Sequence, residues 1–145
     1  MDLNPYSYYY YKMDIRIEEV RSLKPGRYIV IDGIPCKITA IVHSKPGKHG
    51  GAKANISAVG IFDNQRRNIT RPTGDKVEVP VIEKKSAQVI NIIGDRIQLM
   101  DNESFETFEL GMPEEEELKG GVSQGAEVLY MEVGGSKKIA QIKGK

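Results

Sequence analysis

From Met13 onward the chain is a succession of short β-branched runs broken by turn residues, which confines it to an all-β fold. YIVID, IPCKITAIV, KANISAVGIF and VEVPVI come first. SAQVINIIG, DRIQLMD, SFETFEL, AEVLYMEV and KKIAQIK follow. Each alternates or clusters apolar residues as half-buried strands do. Asp32-Gly33 is a two-residue hairpin signal, and Asp63-Asn64-Gln65-Arg66-Arg67 is a polar turn. Pro80 cannot donate to a ladder, so VEVPVI belongs at an edge or a strand end. Short strands with turns at regular spacing predict small barrels.

One segment departs from this pattern. Met112-Pro113-Glu114-Glu115-Glu116-Glu117-Leu118-Lys119-Gly120-Gly121 has proline and glutamates where a helix begins, and lysine and glycines where one ends. It predicts one short helix of about two turns. Five strands with a helix between the third and fourth is the order of an OB-fold barrel. The chain therefore divides into a first barrel over residues 13–82 and a second over 83–145, with the boundary between Pro80 and Lys84. Residues 1–12 hold five of the seven tyrosines and no periodicity, and are expected to be an irregular or disordered extension. Met13 is a candidate for the true start.

Composition narrows the function. Of 145 residues, 39% are hydrophobic and 28% charged, the balance of a soluble globular protein. No apolar run approaches the roughly 20 residues that span a bilayer, and no secretory leader is visible. The single cysteine, Cys36, has no internal partner and reads as a buried strand residue. A cytoplasmic protein, without a membrane partner, is expected. The net charge of +1 conceals an asymmetry: residues 13–82 carry 12 Lys+Arg against 7 Asp+Glu, and residues 83–145 carry 8 against 12. A basic half joined to an acidic half suggests that one end faces a polyanion.

The densest positive stretch is His43-Ser44-Lys45-Pro46-Gly47-Lys48-His49-Gly50-Gly51-Ala52-Lys53, which contains no acid. Strand patterns flank it, and Pro-Gly is turn chemistry. It predicts a long hairpin whose tip lifts Lys48 into solvent between small residues. Lys45, Lys48 and Lys53 suit phosphates, and His49 suits a base or a phosphate. Arg66, Arg67 and Arg71 form a second basic set on the same barrel, a possible further RNA contact. No catalytic constellation appears. Ala52 and Ala54 break the phosphate-loop pattern, both flanks are strands, and the spacing of His43, His49 and Cys36 fits no closed zinc site.

SKPGKHGGAKANI, with YIVIDGIPCKI, VEVPVIEK and IQLMD, strongly resembles the translation factor 5A family, and its archaeal branch more than the eukaryotic one. The resemblance runs from about Met13 to the C-terminus. It implies an SH3-like first barrel and an OB-fold second barrel. It further implies that Lys48 is the acceptor of an aminobutyl group derived from spermidine, added by deoxyhypusine synthase to give deoxyhypusine or hypusine. Lys45, Pro46, Gly47, His49, Gly50, Gly51 and Lys53 would form the surrounding loop. The implied role is ribosome binding near the exit site as a monomer, alongside ribosomal RNA and peptidyl-tRNA, to promote peptide bonds at stalling sequences such as consecutive prolines. A generic RNA-binding or RNA-chaperone protein of two small barrels is the competing expectation.

Overall fold

The computed structural model describes residues 13–45 and 51–144. The tyrosine-rich extension expected over residues 1–12 lies outside the described residues. The chain divides into two compact units, residues 1–81 and 82–145. The fold is all-β in both, an SH3-like barrel and an OB-fold with one short helix.

In the first unit, β1 (Ile15–Glu19) leads through a 3-10 turn at Val20–Ser22 into β2 (Tyr28–Ile31), β3 (Ile34–Ser44), β4 (Lys53–Gly60), β5 (Arg66–Pro72) and β6 (Lys76–Pro80). β2, β3, β4 and β5 form one antiparallel sheet in that order, and β1 pairs with β6. Asp32 and Gly33 have φ of 52° and 78°, the left-handed pair that a tight two-residue hairpin requires. Pro80 ends β6 opposite Ile15, at the limit of its ladder. Ile29, Ile38 and Ile56 are fully buried with Val20, Cys36 and Ala54. Each isoleucine contributes about 2 kcal/mol by leaving water.

β3 contains a bulge between Ile38 and Ala40. The extra residue, Thr39, donates its hydroxyl to the Ser57 carbonyl at 3.1 Å. Because strand side chains alternate, one extra residue turns both Ile38 and Ile41 to the core. It also bends the outer half of β3, from which the connection to β4 departs.

The second unit comprises β7 (Glu83–Ile93), β8 (Arg96–Asp101), β9 (Thr107–Gly111), α1 (Glu116–Gly121), β10 (Glu127–Val133) and β11 (Ser136–Gly144). Its antiparallel sheet has the order β11-β10-β7-β8-β9. Val89, Ile97, Leu99 and Val128 fill its centre. α1 has about the expected two turns but begins at Glu116, three residues beyond Pro113. The Met112 amide is bound to the Asp95 carbonyl at 2.7 Å, and Glu115 remains extended as the residue before the helix. That tether keeps Pro113, Glu114 and Glu115 out of the first turn, leaving Glu116 and Glu117 to meet the positive end of the helix.

Candidate nucleic-acid interface

Strands β3, β4 and β5 carry Lys37, Lys53, Arg66, Arg67 and Arg71, and not one aspartate or glutamate. The β3–β4 ladder runs outward to the pair Ser44 and Lys53, so the eight-residue connection 45–52 starts and ends at adjacent strand ends. Its return is tied down, since the Thr73 amide donates to the Ala52 carbonyl at 3.0 Å. Lys45, Gly51 and Lys53 are exposed at the base of this connection. Pro46, Gly47, Lys48, His49 and Gly50 lie outside the described residues. His43 stands opposite Ala54 and is exposed.

The three arginines do not form one set. Arg66 is opposite Val59, whereas Arg67 is opposite Ala58, which is buried in the core. Adjacent strand residues point to opposite faces, so Arg66 and Arg67 cannot serve one surface. Arg67 donates to Asp63 Oδ2 at 2.7 Å and Oδ1 at 3.2 Å, with side-chain exposures of 17% and 1%. The bidentate guanidinium holds the Asp63 carboxyl below its usual range. A Cβ on Gly60 would collide with both partners, so glycine is required where this pair crosses the sheet. Arg67 is therefore a structural cation. Arg71 lies opposite Ala54 at the exposed end of β5 and donates to the Thr70 carbonyl at 3.0 Å. Burial pushes the neighbouring Cys36 thiol up to about 11, so it is protonated and unreactive.

The outer face of the same sheet supplies residues that were not singled out from sequence. Asn55 Nδ2 donates to Thr70 Oγ1 at 2.9 Å, and Ser57 Oγ donates to Asn68 Oδ1 at 2.7 Å. Lys37 shares this face opposite Val59, and Lys53 and Arg66 lie along it. Among the described residues, none of these three cations is in an ion pair. The signal was legible as the polar positions of KANISAVG and RRNITRP, which alternate with the apolar ones. The arrangement is hydrogen-bonding and positive without a competing carboxylate on these strands. It is suited to a sugar–phosphate backbone.

The second unit is different in kind. Lys85 is held by Glu132 at 2.9 Å and Glu83 at 3.3 Å, and Lys137, Lys138 and Lys143 each reach a glutamate. Asp101, the one buried charge among its described residues, accepts the Tyr130 hydroxyl on Oδ2 and the amides of Glu103 and Ser104 on Oδ1, both at 2.8 Å. These donors bring its pKa down to about 2. Among the described residues, no three His, Cys, Asp or Glu side chains are placed to hold a metal. No helix among them is long and apolar enough to cross a membrane.

Comparison with known proteins finds two family matches along the chain. Residues 16–75 match the family described as "Translation initiation factor 5A-like, N-terminal". Residues 81–143 match "Eukaryotic elongation factor 5A hypusine, DNA-binding OB fold". The chain is 53% identical over 133 residues to translation initiation factor 5A of Methanopyrus kandleri, covering 90% of this chain and 98% of that protein. It is 53% identical over 124 residues to that of Archaeoglobus fulgidus, covering 86% and 95%. The solved structure of eukaryotic translation initiation factor 5A from Methanococcus jannaschii superposes with a TM-score of 0.80 at 46% identity, covering 88% of this chain and 94% of that one. With both barrels matched over most of their length, the chain belongs to the translation initiation factor 5A family.

Proposed function

We propose that this translation factor binds the ribosome near the exit site and uses a hypusine-type lysine at position 48 to order peptidyl-tRNA. The observation that carries the reading is the acid-free hairpin. Its ladder ends at Ser44 and Lys53, and its connection carries the sequence Lys45 to Ala52. A probe entering an RNA-lined catalytic centre must be narrow and cationic. Gly47, Gly50, Gly51 and Ala52 give narrowness, and Lys45, Lys48 and Lys53 give charge. Transfer of an aminobutyl group from spermidine to Lys48 by deoxyhypusine synthase adds reach and a second amine without adding width. The extended arm holds the tRNA acceptor end so that its ester meets the incoming amine in a reactive geometry, an entropic contribution that needs no proton transfer by Lys48. Peptide bonds that form slowly, as at consecutive prolines, gain most. The factor acts as a cytoplasmic monomer.

Intact mass and peptide mapping of native protein test the reading first. Added mass on Lys48 supports it, and an unmodified Lys48 favours a generic RNA-binding role for the two barrels. Lys48→Arg keeps a charge and blocks modification. In reconstituted translation of a polyproline message it is expected to lose rescue, and full rescue by that variant sinks the proposal.

A further inference from the structure

The turn between β8 and β9 displays a phenylalanine that contributes little to its own fold. Phe105 is 69% exposed, and its ring makes no aromatic or cationic contact among the described residues. Its φ is 62°, a left-handed conformation that glycine adopts freely and that a bulky side chain disfavours. The position is thus costly twice, in backbone strain and in exposed apolar surface.

The turn around it is held rigidly. Asp101 Oδ1 accepts the Glu103 and Ser104 amides. The Phe105 amide donates to the Asp101 carbonyl at 3.0 Å, the Asp101 amide to Glu106 at 2.9 Å, and the Asn102 amide to Ser86 at 2.9 Å. An aromatic side chain presented on a pre-organised backbone loses little freedom on association, which is the character of an interface anchor.

The charges beside it select the partner. Glu103 and Glu106 are exposed, flank Phe105 and have no cationic partner among the described residues, while the nearby Lys85 and Lys137 are both engaged by Glu132. Next to the turn lies an open cleft lined by Asp101, Glu103, Glu106 and Glu132 as well as by Lys85 and Lys137, so acids outnumber cations there. A nucleic-acid backbone is repelled by such a tip. From this juxtaposition we infer that the β8–β9 turn docks a basic protein surface. Phe105 enters an apolar depression on it, and Glu103 and Glu106 receive lysine or arginine side chains from its rim. This surface is independent of Lys48 and of its modification.

Replacing Phe105 by the photoreactive p-benzoylphenylalanine in the full chain tests the inference in cell extract. Adducts are treated with ribonuclease or protease and identified by mass spectrometry, and the same group at Ile93, exposed at the opposite end of the strands, serves as control. The expected result is a ribonuclease-resistant adduct to a protein of net positive charge, absent from the Ile93 control. With that protein purified, Phe105→Gly and the double variant Glu103→Lys, Glu106→Lys should each weaken binding about tenfold or more. Phe105→Gly suits the left-handed backbone, so its thermal midpoint should equal or exceed that of the parent. An adduct to RNA, to a second copy of this chain or to an acidic protein overturns the inference, as does no adduct. Unchanged affinity, or a clearly lowered midpoint in Phe105→Gly, overturns it equally.

Discussion

The two units build their hairpin ends from opposite chemistry. In the first, the strands beside the β3–β4 connection hold cations without carboxylates, and Lys37, Lys53 and Arg66 stand unpaired on one face. In the second, most lysines are tied to glutamates, and the β8–β9 turn is fastened by a buried aspartate. Both units are small antiparallel β-structures, so architecture does not distinguish their tasks. What differs is which charges are left without an internal partner. Among the described residues, the charges left over on β3, β4 and β5 are cations, and those left over at the β8–β9 turn are acids beside one exposed aromatic.

Four perturbations test that contrast, from the largest expected effect to the smallest. Lys48→Arg should abolish polyproline rescue while leaving the fold intact, as followed by peptide yield and by thermal melting. Arg67→Ala should be the most damaging to stability. It leaves Asp63 buried without its cation, at a cost of about 3–5 kcal/mol, read as a lower urea midpoint. The same truncation at Arg66, which has no carboxylate partner, should shift the midpoint by less than about 0.5 kcal/mol. Near-equal losses at the two positions would erase the distinction between a structural and a free arginine.

The third perturbation concerns acid. The folded Asp101 carboxyl has a pKa of about 2, below the unfolded value of about 4. Its stabilisation is therefore complete above about pH 4 and lost as the pH falls toward 2, amounting to about 2 kcal/mol. Tyr130→Phe removes the largest of its donors. The second unit should then unfold at higher pH, and the pH dependence of its urea midpoint between 4 and 2 should flatten. The smallest effect is expected from Lys53→Gln, which removes one exposed cation from the acid-free sheet. It should lower the slope of log affinity for RNA against log salt by about 1 and leave stability unchanged. An equal change from Lys143→Gln, a lysine engaged by Glu127, would show that pairing does not decide which cations bind.

Much of this was legible in the sequence because its signals are local. Asp32-Gly33 and the alternating runs predict the hairpins, Pro80 predicts a strand end, and the loop residues around Lys48 carry the family resemblance. Non-local partners were not legible. Arg66, Arg67 and Arg71 read as one basic set because their strand alternation was not combined with Asp63, four residues before Arg67. Likewise Asp101 closes the strand run DRIQLMD, but nothing local announces Tyr130, 29 residues later, as its donor. The helix start moved because the Met112 amide is bound to Asp95, a contact that no propensity encodes. Phe105 stands in a strand-like run, SFETFEL, but lies before β9 with a left-handed backbone and its ring exposed, whereas Phe108 packs 4.9 Å from Tyr130.

The bulge at Thr39 has a consequence for how long the arm can grow. Beyond it, Val42 and Ser44 share the outer face with Asn55 and Lys53, and Ile41 faces inward with Ile56. Inserting a single residue into each strand past that point would exchange the two sides, turning isoleucines toward water and amides toward the interior. Inserting two restores the sides and lengthens the β3–β4 ladder by about 7 Å. The reach of this ladder is thus quantised in steps of two residues per strand.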